Sequence, residues 1–346
     1  MQPERVETEV VRVHPQKPDE TAMTRAAEAL RGGGLVAFPT ETVYGLGANA
    51  LDAEAVARIF AAKGRPANNP LIVHVPDVAA ARELVTDWPE TAERLAERFW
   101  PGPLTLALPR RETIPDIVTA GGPTVAVRVP AHPVALALLR ASGVPIAAPS
   151  ANRSLRLSPT RAEHVRRGLS GRIEMILDGG PTTGGLESTV LDLTATPPRL
   201  LRPGLVTPAE IEAVIGPIAR LSALPPTATA LPSPGMMARH YAPRAPLELA
   251  EDDGGPRVAV LLSQGVKVGW IALGETAGIR APGLETIALP PEPAAYAAQL
   301  YAALHALDDA GVERIVVALP PDTEAWLAVR DRLRRAATPE NTPNAG

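Results

Sequence analysis

LVAFPTETVYGLGANALDAEAVARIFAAKGRPANNPLIVHV, residues 35–75, decides how this chain reads. Leu35–Phe38 is an apolar run too short for a helix and bounded by Gly32–Gly34 and Pro39, so a buried strand is expected. Thr40, Glu41, Thr42 and Tyr44 place hydroxyls and a carboxylate at the strand's end, and Gly45 and Gly47 would let backbone approach a ligand closely. Asp52 is placed to cap a helix with apolar positions Ala55, Val56, Ile59 and Phe60. That helix stops at Lys63-Gly64-Arg65-Pro66, and Leu71–Val75 returns as a second strand. Polar groups at strand ends are where open α/β sheets bind ligands. Lys63 and Arg65 then read either as an anion clamp or as cations complementing the dipole of a helix end. Composition favours the clamp, because the chain has 31 Arg and only three Lys, so Lys is not its ordinary surface cation.

Working outward, 346 residues suggest two domains. Hydrophobic residues make up 45% and aromatics 3%, so the cores are expected to be built of Ala, Val, Leu and Ile. The absence of Cys excludes disulfides, a thiolate nucleophile and Cys-ligated metal. The N-terminal stretch does not read as a secretory signal, and no run approaches membrane-spanning length, so a cytoplasmic protein is expected. A net charge of −4 is poor electrostatics for gripping nucleic acid over a wide surface. The local exception, Arg153 to Arg172, is most simply a solvated helix face.

Residues near 4–13 read as a strand and about 20–31 as a helix, with two short helices over about 77–99 broken at Pro89. Leu104–Leu108 and Thr124–Val129 read as strands, and Arg128 inside TVAVRVP faces either solvent by alternation or an anionic ligand. A helix at 133–141 leads to the strand Pro145–Pro149; Thr160 and Glu163 are spaced as a capping box for a helix ending near Leu169. Further strands are expected near 174–177, 188–193 and 199–202, and Thr207-Pro208 opens a helix that ends at Gly216. Residues 1–216 thus form a first domain and 217–246 a Pro-rich linker that carries SPGMMARHYAP. Residues 247–337 are a small parallel α/β domain, with strands expected at Arg257–Leu262, near Trp270 and at Ile315–Leu319, and helices at about 293–309 and 323–336. Residues 338–346 read as a disordered tail.

No phosphate-loop motif, HExxH, metal-spaced His cluster or nucleophile elbow is present. What remains is a set of hydroxyls, amides and cations at strand ends: Thr42, Arg65, Asn69, His74, Thr124, Arg128, Ser150, Asn152, Ser158, Ser188 and Arg202. Such a set binds anions and catalyses by positioning and charge neutralisation. From the residues alone, the reading is a binder or transferase of a phosphorylated metabolite.

PTETVYGLG followed by KGRPANNPL, with SAN at 150–152, SPT at 158–160, ESTVLDL at 187–193, LLRPG at 200–204 and the linker motif, resembles the YrdC-type threonylcarbamoyl-AMP synthases in their longer, two-domain form. The resemblance covers about residues 20–245 and reaches the C-terminal unit by position and type. It implies a twisted mixed sheet with helices, plus a smaller Rossmann-like parallel α/β domain. It further implies that Thr42, His74, Arg128, the backbone at Ala148 and Ser188 contact L-threonine. Arg65, Asn69, Thr124, Ser150, Ser158, Arg202 and Tyr241 would contact ATP, with Lys63, Arg65 and Asn152 as the catalytic signature. The implied reaction joins L-threonine, bicarbonate or CO₂ and ATP into threonylcarbamoyl-AMP and pyrophosphate. Mg²⁺ is expected to accompany ATP, and a separate transferase to carry the product to tRNA. Two other readings are an RNA- or ribosome-binding module of the same fold and a carbamoyl-transfer domain. The sequence departs from the family at Leu155, where Gly is usual, and at Met237-Ala238, where a basic–aromatic pair is usual. If that Gly requires positive φ, the loop at Leu155 should differ.

Overall fold

The computed structural model describes residues 6–220, 237, 239–275 and 280–337. The expected tail and most of the Pro-rich linker lie outside the described residues. Eleven strands form the larger sheet: β1 (Glu9–Arg12), β2 (Val36–Phe38), β3 (Gly45–Asn49), β4 (Ile72–His74), β5 (Leu104–Pro109), β6 (Thr124–Arg128), β7 (Ile146–Ala147), β8 (Met175–Asp178), β9 (Thr189–Asp192), β10 (Arg199–Arg202) and β11 (Ala219–Arg220). Their order is β1-β8-β2-β3-β7-β4-β6-β5-β9-β10-β11, with parallel and antiparallel pairs mixed. Pairing of β11 with β10 carries this sheet past Gly216.

Alternation along the strands decides which helix covers which face. Leu35, Ala37, Val73, Val125 and Val127 face a core closed by helices Ala53–Lys63, Glu90–Phe99, Ala162–Leu169 and Pro208–Ile215. Val36, Phe38, Ile146 and Ala148 face the opposite side, under helices Glu20–Arg31 and Pro133–Ser142. Those two helices do not reach Ile72, Ala107, Val190 and Leu201, which form a small separate cluster on strands β4, β5, β9 and β10. Ile72 of this cluster also lines the site cavity.

The second domain holds β12 (Leu247–Ala250), β13 (Val268–Leu273), β14 (Leu284–Leu289) and β15 (Arg314–Ala318), in the all-parallel order β12-β15-β13-β14. Its core runs on into Val43, Leu157 and Leu186 of the first domain and into Tyr241 of the linker. The two units therefore share apolar contacts.

Four local expectations are corrected. Arg257–Leu262 belongs to a helix, Gly255–Ser263, opened by Pro256 in its first turn; Val258 and Leu261 are buried three apart while Val260 is exposed. Its β-branched content resembles a strand, but burial follows the helical period. The segment after Thr42 is strand β3, antiparallel to β2, rather than a turn into the helix. A Cβ at Gly47 would stand 2.7 Å from Ile146 Cγ2 and 2.9 Å from Phe38, so this glycine serves packing between neighbouring strands. Arg161, not Thr160, precedes helix Ala162–Leu169, and no side chain caps it. Leu155 does keep positive φ, at 68°, so the loop retains the glycine-type conformation and bears the roughly 1–2 kcal/mol that Cβ costs there.

Candidate active site

Thr40, which ends the first strand of the organising stretch, sets the local geometry. Its hydroxyl meets Thr42 Oγ1 at 2.7 Å, donates to Val43 O and accepts from the Thr42 and Val43 amides. The turn is thereby locked with Thr42 facing Arg128, whose Nη1 donates to Thr42 Oγ1 at 3.1 Å. Arg128 is buried; its Nε donates to Gly102 O and its Nη2 to Glu41 Oε1 at 2.6 Å. Glu41 also accepts from the Ala131 amide. The buried charge on β6 is thus paired within the chain by Glu41, which the sequence reading left without a role. A guanidinium has five N–H donors, so not all of those on Arg128 are used by Gly102, Thr42 and Glu41.

His74 stands beside Arg128 in the parallel β4–β6 register, its Nδ1 buried and without a hydrogen-bond partner. Burial, and next the Arg128 charge, push His74 down to about 3, so the ring is neutral at physiological pH. A histidine with a lowered folded pKa binds its proton only in the unfolded chain, so stability present near neutrality is lost as pH falls. His164 is likewise pushed down to about 3 by burial and then by His305, which stacks on it at 3.8 Å. Unfolding free energy is expected to drop between pH 7 and 5, with His74 alone giving about 2 kcal/mol. Denaturant titrations of the wild type and His74→Leu at both pH values check this, and equal slopes would refute it.

A second group of buried cations stands around Arg65. Gly64 ends helix Ala53–Lys63 in the left-handed conformation and turns the chain so that Lys63 and Arg65 both point inward. Lys63 Nζ donates to the carbonyls of Ser150 and Asn152, each at 2.5 Å. Burial, then the charges of Arg65 and Arg153, push its ammonium well down. Arg65 donates to Asn69 O, Asn69 Oδ1 and Pro70 O. Among the described residues no carboxylate pairs either cation. Ser150 donates to Asn152 Oδ1, so Lys63, Ser150 and Asn152 form one unit. Arg202 donates to Ser188 O at 2.9 Å and to Ser188 Oγ at 3.1 Å.

Lys63 and Arg65 flank the helix end, yet both side chains are buried. Lys63→Met is accordingly expected to lower both stability and activity. It strands two buried carbonyls at about 1–3 kcal/mol each. Thermal melts read beside turnover check it, and an unchanged melting temperature would refute it.

Thr42, Arg65, His74, Arg128, Ala148, Ser150, Ser188, Arg202 and Tyr241 line one cavity. Asn69, Lys63 and Asn152 stand behind the wall, bonded to residues that line it. Ser158 is fully buried and donates to Glu187, which lines the cavity. Thr124 does not line it; it opens β6, four residues along the strand from Arg128. Sequence reasoning placed Thr40 and Glu41 at the strand's end but left them out of the candidate set, and it passed over Glu187, which EST puts beside Ser188.

His240 and Tyr241 of the linker line the cavity, which holds about 50 Å³ of free space. That is room for water and far below the ~300–1,000 Å³ usual for a ligand pocket. Tyr241 is itself held at φ 59°, its hydroxyl buried without a hydrogen-bond partner. Its neighbour Ala242 donates its amide to Leu155 O, so the left-handed segments at Leu155 and Tyr241 meet. Met237, at the departure noted above, offers its sulfur to Asn69 Nδ2 and its carbonyl to Arg335.

A mixed sheet with convergent buried cations and a neutral histidine at its strand ends makes this an α/β protein whose cavity is lined in part by its own linker. The family model described as "Telomere recombination", covering the Sua5, YciO and YrdC proteins, matches residues 28–204, and the model "Threonylcarbamoyl-AMP synthase, C-terminal domain" matches residues 206–338. Threonylcarbamoyl-AMP synthase of Bacillus subtilis is 48% identical over 335 residues, covering 92% of this chain and 94% of the relative. The Pyrococcus abyssi protein of the same name is 47% identical over 333 residues, covering 93% and 96%. The crystal structure of P. abyssi Sua5 complexed with L-threonine superposes with a TM-score of 0.88 at 45% identity, covering 95% of this chain and 97% of that one. The chain belongs to the Sua5–YciO–YrdC family, in its two-domain form.

Proposed function

We propose that the chain is an L-threonylcarbamoyladenylate synthase, a nucleotidyltransferase that makes threonylcarbamoyl-AMP and pyrophosphate from L-threonine, bicarbonate or CO₂, and ATP. The observation that carries this reading is the division of the cavity. Arg128, Thr42 and neutral His74 offer one end to a small amino acid. Arg65 and Arg202 gather buried positive charge at the other, where a polyphosphate fits, with Lys63 behind the wall. The similarity to a threonine-bound structure supports the first half, and the names of the relatives support the adenylate product.

In this reading Arg128 takes the threonine carboxylate, and Ser188, the Ala148 backbone and His74 orient its hydroxyl and amine. The amine adds to CO₂ to give N-carboxy-threonine. One carboxylate oxygen then forms a bond to the α-phosphorus as the bond to pyrophosphate breaks. Arg65 and Arg202 neutralise the charge building on the leaving group, while Asn69, Thr124, Ser150, Ser158 and Tyr241 place the nucleotide. Lys63 and Asn152 hold the Ser150 loop in place.

Mg²⁺ accompanying ATP would add charge neutralisation at the phosphates. The phosphate oxygens and water would supply its ligands. No helix among the described residues is long and apolar enough to cross a membrane. We place the protein in the cytoplasm, passing its product to a separate transferase that forms N6-threonylcarbamoyladenosine in tRNA. Pyrophosphate release that requires threonine and bicarbonate together tests the reaction. Release without either one, or RNA binding with no release, would overturn it.

A further inference from the structure

We propose that Thr105, a buried residue of β5, is a positioning residue for Ser188 and sets specificity: it commits the Ser188 hydroxyl to donate into the cavity, onto the side-chain oxygen of a hydroxyamino acid. The inference rests on the threonine reading above and names the substrate group that Ser188 reads.

The peptide around Ser188 is held on both sides. Glu187 before it accepts from Ser158, from Tyr301 of helix Pro293–Asp309 at 3.2 Å and from Arg332 Nε of helix Leu327–Ala337 at 2.8 Å. Thr189 after it donates its amide to Pro103 O and its hydroxyl to Val206 O at 2.6 Å. The Ser188 carbonyl itself accepts from Arg202 Nε and Nη2. With the backbone fixed in this way, the direction of the Ser188 hydroxyl is what remains to be set.

Hydrogen-bond counting sets it. A hydroxyl has one hydrogen to give and two lone pairs to fill. Strands β5 and β9 run parallel, with Leu104 opposite Thr189 and Thr105 opposite Val190, and Thr105 Oγ1 comes to 2.8 Å from Ser188 Oγ. Thr105 is fully buried, and among the described residues Ser188 Oγ is the one partner of its hydroxyl. A buried hydroxyl hydrogen without an acceptor is costly, so Thr105 donates to Ser188. Arg202 Nη2 donates to the same oxygen at 3.1 Å. Both lone pairs are then filled, and the Ser188 hydrogen has no acceptor among the described residues. Ser188 lines the cavity, so that hydrogen goes to a ligand oxygen.

His74 supplies the matching half. It lines the same cavity as a neutral ring with one acceptor nitrogen, and its Nδ1 is buried without a partner. A donor and an acceptor together fit a hydroxyl, which both takes and gives a hydrogen bond. A methyl in its place, as in L-valine, leaves both groups buried and unpaired, and sites built to bond a hydroxyl reject such analogues strongly.

Thr105→Val, Thr105→Ala, Thr105→Ser, Ser188→Ala and the double variant Thr105→Val/Ser188→Ala are compared with the full-length wild type. L-Threonine is titrated by calorimetry, L-valine by its displacement of threonine, and a non-hydrolysable ATP analogue separately, alongside pyrophosphate release. Thr105→Val keeps the shape and loses the hydroxyl. It is expected to weaken threonine about three- to tenfold, the scale of one hydrogen bond, and to leave valine and the analogue within about twofold, so the threonine-to-valine ratio falls. Thr105→Ala carries the same expectation and decides the matter if Thr105→Val does not fold. Thr105→Ser restores the hydroxyl and is expected to recover the wild-type ratio. In the Ser188→Ala background Thr105→Val is expected to cost threonine nothing further, because Thr105 acts through Ser188. A wild-type ratio in the Val and Ala variants, a Ser variant no better than Val, or a further loss in the double variant would overturn the proposal. A wild type that binds threonine but releases no pyrophosphate would count against the proposed reaction, and the threonine-to-valine ratio would still decide the role of Thr105.

Discussion

Arg128→Ala is expected to weaken threonine by about 2–5 kcal/mol while ATP binding changes little, because a desolvated charge pair to a carboxylate is lost. The geometry makes the loss one-sided. Arg128 sits at the Thr42 and His74 end of the cavity, and its remaining bonds go to Gly102 O and Glu41. Removing it leaves the Glu41 carboxylate, 15% exposed, without its partner, so part of the measured loss comes from a cavity turned negative. Glu41→Gln separates the two contributions. It keeps the Arg128 charge and removes the internal competitor, so threonine affinity should hold or rise in that variant. Arg128→Lys should behave nearly as badly as Ala, since a point charge cannot bond Gly102, Thr42 and a substrate carboxylate together. Threonine and ATP isotherms on the three variants give the answer, and equal losses of both ligands in Arg128→Ala would sink the assignment.

What the sequence made legible follows from where each signal lies along the chain. Thr42, Arg65, His74, Arg128, Ser150, Ser188 and Arg202 were readable because each sits at or next to a strand end, and strand ends can be found from short apolar runs. Glu41 and Thr40 lie in the same stretch but act on their neighbours, and composition gives no sign of that. Arg332 was hidden for a different reason. In LAVRDRLRRAA it is one of four arginines on a helix that reads as solvated, yet Val329, Arg330, Arg332, Leu333 and Ala336 are buried. Its partner Glu187 lies far away in sequence, so only the docking of the two domains reveals the pair. The strands β12 and β14 were missed because both are half-exposed edge strands with weak alternation, and the helix at 255–263 because β-branched residues imitate a strand. Fold class survived these misses, since the number of strands in the small domain matters less than its parallel pairing.

The second large effect is expected from the linker. With His240 and Tyr241 in place the cavity holds about 50 Å³, so ATP can enter only if this segment moves and can be enclosed only if it returns. Tyr241 is suited to both. Its left-handed backbone stores strain of about 1–2 kcal/mol that opening releases. Its unpartnered hydroxyl, beside Arg65 and Arg202, gains a hydrogen bond when a phosphate arrives. His240, pushed well down by burial and then by Arg65, Lys63, Arg332 and Arg202, closes as a neutral ring and does not compete with the cations for phosphate. The double variant His240→Ala/Tyr241→Ala should therefore keep its fold and its threonine affinity, lose about 1–3 kcal/mol of ATP binding, and release its adenylate to water, where it hydrolyses. In the wild type, ATP with threonine should protect residues 225–244 from proteolysis. A truncated chain is a poorer test, because a cut at Gly216 removes β11 from the sheet and takes Arg332 away from Glu187. Protease sensitivity that ignores the ligands, together with a double variant that retains product as the wild type does, would leave the segment as a spacer between domains.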